Sequence, residues 1–157
     1  MNWEALGAIG ELASAVIVLA SVAYLAVQIR QNTKQTRLAS IQAINASNDS
    51  AFDPIYLAEN THIFTKGQAS FSDLSEHEKV VFDMLMMRLA ASFDSTTYQF
   101  VQGSYDEELY EGTLKFYATF VASPGGREWL NMRKESLTSI TLANLERAIE
   151  EMHEGAT

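Results

Sequence analysis

The sequence predicts an all-α protein: an N-terminal transmembrane helix extended into a stalk, followed by a small helical bundle. Three observations carry that expectation. Residues 6–29 form an apolar run with one charged side chain. No glycine or proline stands between Gly10 and Pro54. The rest of the chain is divided by helix caps flanking apolar stripes of helical period. No segment shows the alternation of a strand.

The first element is the anchor, expected over 1–32. Leu6 to Ile29 reads LGAIGELASAVIVLASVAYLAVQI, 24 residues with Glu11 as the only charge. A helix of that length extends roughly 36 Å, enough to cross a hydrocarbon core of about 30 Å. Eleven of the 24 are Leu, Ile or Val. Each favours insertion by roughly 0.3–0.6 kcal/mol near the helix centre, while Glu11 opposes it by at most about 3 kcal/mol. Insertion wins. Ser21-Val22-Ala23 resembles a signal cleavage site, but Met1-Asn2-Trp3-Glu4 holds no basic side chain and the run is long for a signal. A retained span is therefore expected.

Basic side chains set the orientation. Arg30, Lys34 and Arg37 follow the span and none precedes it. By the positive-inside rule the N-terminus lies outside and the helical domain in the cytoplasm. Trp3 and Tyr24 fall near the two interfaces, and Trp3, Arg30, Lys34 and Arg37 are the expected contacts with the membrane surface.

Within the span, Gly7, Ser14, Ser21 and Gln28 recur every seven residues, with Gly10 and Glu11 beside them. On a helix these six form one small and polar stripe, with Val16, Leu19, Val22 and Val27 largely off it. Helices in lipid associate by close approach at small residues and by interhelical hydrogen bonds, so the stripe is the expected helix–helix interface.

Beyond the span the helix is expected to continue through Leu38, Ile41 and Ile44 as a juxtamembrane stalk over 33–52. It should end in the cluster Asn45, Ser47, Asn48, Asp49, Ser50. A helical domain then occupies 53–157. Asp53-Pro54 predicts an N-cap with proline at the first helical position, and Lys66-Gly67 the end of that helix. Ser75-Glu76-His77-Glu78 is a capping box opening the longest helix, to about Gln102, with Phe82, Leu85, Leu89, Phe93 and Phe100 as its stripe. Gly103 ends it, and Ser104-Tyr105-Asp106-Glu107 predicts a second box. The helix that follows carries Leu109, Phe116 and Phe120 on one side and Tyr110, Leu114, Tyr117 and Val121 on another. Ser123-Pro124-Gly125-Gly126 interrupts the chain before a short helix around Trp129 and a last one from about Thr138 to Met152.

Composition restricts function. The net charge is −9, and from Ser40 onward 18 acidic residues face 8 basic ones, which excludes nucleic acid as a partner. The absence of cysteine excludes disulfides, thiolate metal sites and cysteine nucleophiles. Glu59…His62 and Glu150…His153 have the i, i+3 spacing of carboxylate-bridged di-metal bundles, but no inward-facing glutamate completes a set, and both pairs are expected at the surface. Ser123 to Arg127 could offer backbone N–H groups to an anion, although a plain helix connection is the simpler expectation. Met84, Met86 and Met87 are expected in the core, and Tyr105, Tyr110 and Tyr117 at its edge. No cofactor is expected.

The chain resembles a group of uncharacterised bacterial membrane-anchored helical proteins. The shared features are Trp3-Glu4…Gly7 at the start, Leu25-Ala26-Val27-Gln28-Ile29-Arg30-Gln31-Asn32 at the close of the span, Leu74-Ser75-x-x-Glu78, and Ser123-Pro124-Gly125-Gly126-Arg127-x-Trp129. The resemblance implies a bacterial inner-membrane protein and brings no activity. The expected function is non-catalytic: a membrane-anchored assembly or accessory protein, partnered by the lipid bilayer and by copies of itself or other membrane subunits. A membrane-tethered sensor holding a small ligand between its helices is the alternative.

Overall fold

A computed structural model describes residues 3–154, the side chains of 4–6 excepted. It is all-helical, with no strand among the described residues. Helix α1 spans Trp3–Phe52, α2 Ala58–Ala69, α3 Glu76–Val101, α4 Glu107–Ala122, α5 Pro124–Arg133 and α6 Ser139–Glu154. Short 3₁₀ turns occupy Asp53–Tyr56 and Lys134–Ser136. The chain divides into two units, one ending at Ala39 and the other beginning at Ser40.

In the first unit, the described side chains from Gly7 to Ala39 are all exposed, among them Ile9, Leu12, Val16, Ile17, Val18, Leu19, Val22 and Leu25. A helix this apolar with no buried face is long enough to span a membrane.

The second unit is a closely packed bundle. Aliphatic residues make up most of its core, but the largest fully buried side chains are the aromatic Trp129, Tyr110, Phe82 and Phe93, with Leu114 and Ile149 also almost wholly buried. Helix α4 packs on α3, α5 and α6, while α2 packs on α3 and α5. Ile44 and Ala51 of α1 are also core residues, and Phe52 sets its ring 5.4–6.0 Å from those of Phe116, Tyr117 and Phe120. The stretch expected as a stalk over 33–52 therefore divides. Its second part, from Ser40, is a helix of the bundle, because Ile44 and Ala51 share an inward face at helical spacing.

Capping chemistry sets the starts of α3, α4 and α5 and the end of α3. Ser75 accepts from the Glu78 N–H while the Glu78 carboxylate accepts from the Ser75 N–H, the reciprocal box expected at the start of α3. At 26 residues α3 is second in length to α1, which has 50. Gly103 follows it at φ 71°, and the Ser104 N–H reaches back to the Gln99 carbonyl at 3.0 Å, closing the helix in a left-handed turn.

Three expected boundaries differ. Asp53 caps no helix: Asp53–Tyr56 winds as a 3₁₀ turn that buries Ile55, and α2 starts later at Ala58. The second capping serine, Ser104, is also not used. Asp106, itself extended, caps α4 by accepting from the Glu108 N–H at 3.1 Å, and Tyr105 before it is buried. Gly67 does not end α2, which runs on to Ala69. A Cβ on Gly67 would lie 2.2 Å from Cδ2 of the buried Phe82, and one on Gly125 only 1.7 Å from the Gly67 carbonyl oxygen. These two glycines let α2, α3 and α5 meet closely.

Candidate functional site

The expected interface residues Gly7, Gly10, Glu11, Ser14, Ser21 and Gln28 all lie exposed on α1. At about 100° per residue they fall within an arc of roughly 100°. Gly7 and Gly10 have nothing within 4 Å of where a Cβ would stand, so a second helix could approach closely there. The hydroxyls are already engaged: Ser14 donates to the Gly10 carbonyl and Ser21 to the Ile17 carbonyl, each at 2.8 Å. The Gln28 amide donates to the Tyr24 hydroxyl at 3.1 Å. The serine donors thus satisfy themselves within the helix, and what the stripe offers a partner is small volume and acceptor lone pairs. Spacing alone did not reveal this back-bonding.

The expected membrane-surface residues Trp3, Arg30, Lys34 and Arg37 are exposed on the same helix. Arg30, Lys34 and Arg37 fall on one side of α1, nearly opposite the small and polar stripe by the same angular reckoning. Gln28, Gln31, Asn32 and Gln35 lie on one face of α1, extending the small and polar stripe's side beyond the apolar stretch.

The second unit has three polar clusters. In the first, Asp83 on α3 accepts from Trp129 Nε1 at 2.9 Å, from Arg133 Nε at 3.0 Å and from an Arg133 terminal nitrogen at 2.6 Å. The bond to Asp83 raises the Arg133 guanidinium above its ordinary value, and Trp129 is 1% exposed. In the second, Asn48 Oδ1 accepts from the Ser92 hydroxyl at 2.8 Å and the Tyr117 hydroxyl at 3.2 Å. In the third, Asn144 Nδ2 donates to the Tyr110 hydroxyl at 2.9 Å, and Thr97 is hydrogen-bonded to that hydroxyl at 3.2 Å. Burial pushes both phenols above the ordinary tyrosine range. These clusters tie helices together: every described buried side-chain nitrogen or oxygen has a partner.

The remaining sequence candidates are not assembled into a site. His62, His77 and His153 are exposed, and no group of three or more His, Asp or Glu side chains among the described residues is arranged to hold a metal ion. The α5 N-terminus is occupied by its own chain, because Ser123 accepts from the Gly126 N–H and both glycines are buried. Met86 enters the core, whereas Met84, expected there, is exposed on the outer face of α3. A core cavity bounded by Met86, Leu89, Phe93, Tyr117, Trp129 and Leu145 has a volume of only about 20 Å³. That is space for one water at most, in apolar surroundings that keep it dry.

Comparison of the chain with protein-family models, with curated proteins and with solved structures gives no match.

Proposed function

We propose that this chain is a non-catalytic, membrane-anchored assembly or accessory protein. In this reading α1 crosses a bacterial inner membrane once, with the N-terminus outside and the acidic helical unit in the cytoplasm. It joins copies of itself, or other membrane subunits, through the face of Gly7, Gly10, Glu11, Ser14, Ser21 and Gln28. The observation that carries this reading is the two-sidedness of α1. When the small stripe faces a neighbouring helix, Arg30, Lys34 and Arg37 turn outward toward anionic headgroups, and the bulky residues between them meet lipid. Glu11 has no ion-pair partner among the described residues, and a protein neighbour at the stripe would shelter its carboxyl from lipid.

The enclosed core cavity of about 20 Å³ is too small for an organic ligand, and the larger spaces on the unit, of about 540 Å³ beside Tyr98 and Ile140 and about 490 Å³ beside Gly112 and Phe52, are open grooves at its surface. The deciding experiment is mild detergent extraction of the full chain from its native membrane, followed by mass determination of the particle. A homogeneous multimer, or a particle with additional subunits, is expected. A lone protomer in both detergent and native membranes would overturn the reading.

A further inference from the structure

Helix α3 is apolar on two opposite sides, and the bundle uses only one of them. At about 100° per residue, Phe82, Leu89 and Phe93 share an arc of about 40°, and all three are buried. Val80, Met84, Ala91 and Tyr98 share an arc of the same width diametrically opposite. All four are exposed, Val80, Met84 and Tyr98 by 58–68%. A helix at the surface of a bundle carries polar side chains there. The stripe is a ridge: Ala91 stands between an open groove toward Ser47 and Ser50 of α1 and another toward Thr138 and Ile140.

The spacing is that of a coiled-coil seam. Val80, Met84, Met87, Ala91 and Tyr98 follow an alternation of four and three, with Asp94 at the remaining position. Asp94 is turned aside, accepting from the hydroxyls of Thr138 and Thr141. We propose that this ridge pairs in parallel with the same ridge of a second copy, about a two-fold axis running along α3. The proposal rests on the self-association form of the assembly reading and deepens it by giving the second unit a contact of its own.

Charge and chain direction select this occupant. The edges of a parallel seam are joined by ion pairs between a residue on one edge and the partner residue five positions on at the other. Asp83 and Arg88 are five apart and flank opposite edges of the ridge. Asp83 is 20% exposed beside Arg133, and Arg88 is exposed. Asp83 then meets the partner's Arg88, and by symmetry the contact occurs twice. An antiparallel pair would set the Asp83 edges against each other. Direction agrees: Arg88 meets Ser50 and Ser92 meets Asn48, so α3 runs antiparallel to residues 40–52 of α1. A two-fold axis along α3 leaves residues 40–52 of both copies pointing the same way, as two chains anchored in one orientation require. From Val80 to Tyr98 the ridge is about 27 Å long, or five turns. That is a short seam, and confinement of both copies to one membrane raises their effective concentration.

The absence of native cysteine makes the test direct. Met84→Cys, Ala91→Cys, Lys115→Cys and Ser21→Cys are introduced singly into the full chain and oxidised mildly in membranes. Lys115 is the control, exposed on α4, which packs on the buried side of α3. We expect Met84→Cys and Ala91→Cys each to form a disulfide-linked dimer at least about tenfold faster than Lys115→Cys. When differently tagged Val80→Cys and Tyr98→Cys chains are co-expressed, no mixed dimer should form, because a parallel seam holds these residues about 27 Å apart. In the Ala91→Cys chain, Met84→Glu is expected to slow cross-linking at least about tenfold by facing two carboxylates across the seam. Cross-linking at 84 and 91 no faster than the control, a product whose mass is not twice that of the chain, preferential joining of residues 80 and 98, or indifference to Met84→Glu would each overturn the proposal. Cross-linking through Ser21→Cys alone would overturn the α3 pairing and leave the anchor interface standing. Cross-linking through 84 and 91 but not 21 supports the α3 pairing and removes self-contact from the stripe. Failure at all three overturns both the pairing and the self-association form of the reading.

Discussion

Replacing Gly125 with alanine tests the close meeting of α2 and α5. The added Cβ would lie 1.7 Å from the Gly67 carbonyl oxygen and 2.9 Å from the Phe71 nitrogen. Both obstacles are backbone, so no rotamer change relieves them and the two helices must separate by more than an ångström. Overpacking of a tight core costs roughly 1–3 kcal/mol, and the upper end applies where backbone must move. At about 3 kcal/mol in a unit of about 120 residues, the midpoint of thermal unfolding should fall by about 10 °C. The assay is unfolding of the full chain in mild detergent, followed by Trp129 fluorescence in a Trp3→Phe background. Gly112→Ala is the control: with open space at its Cβ, it should be neutral or stabilise the monomer by up to about 1 kcal/mol. Gly67→Ala strikes the same crossing, so the double variant should lose less than the sum of the two. If Gly125→Ala unfolds with the parent chain, the close approach of α2 and α5 is not real.

Three further outcomes are expected. Hydrogen bonds from Lys66 and from the Ser75 cap hold Glu78 down at about 2, below its ordinary 4.5. Its contribution is therefore complete above about pH 4.5 and disappears as pH falls toward about 2, and Glu78→Gln should flatten that part of the midpoint-versus-pH curve. Asp83→Ala should cost about 1–3 kcal/mol in urea unfolding, because it strands the buried Trp129 N–H. An unchanged midpoint would remove Asp83 from the architecture. Leu19→Arg adds roughly 3 kcal/mol against insertion at the centre of the span. Together with Val18→Arg it should release the protein from carbonate-washed membranes; full retention of that double variant would contradict a single span by α1.

What was legible in the sequence is what local chemistry encodes. The Ser75–Glu78 box and the left-handed glycine after α3 are short-range devices, so their residues announce them. The apolar run of α1 is equally plain because nothing folds over it. Gly67 was misleading because a glycine that ends a helix and one that admits a neighbour look alike in one dimension; only the positions of Phe82 and Gly125 distinguish them. The inward face of residues 40–52 was hidden for a similar reason. Ile44 and Ala51 are few, and their burial depends on rings supplied by distant helices. The small stripe could be read from spacing, but the engagement of Ser14 and Ser21 with their own helix could not, since a serine at that spacing suits either a neighbour or its own backbone.

The phenols of Tyr110 and Tyr117 have a consequence for how the bundle finds a single arrangement. They stand seven residues apart on α4, and their hydroxyls reach Thr97 on α3, Asn144 on α6 and Asn48 on α1. The apolar surface around them is forgiving: sliding α4 by one turn, about 5.4 Å, would still bury rings against rings. The hydroxyls would not survive that slip, because each would be carried from its partner into a dry interior. Bulk cohesion and registration are thus assigned to different atoms of the same side chains. With both tyrosines changed to phenylalanine, the chain should still collapse and remain helical. It would lose the signal that distinguishes one sliding position from the next, and its side-chain resonances should broaden as several positions interconvert.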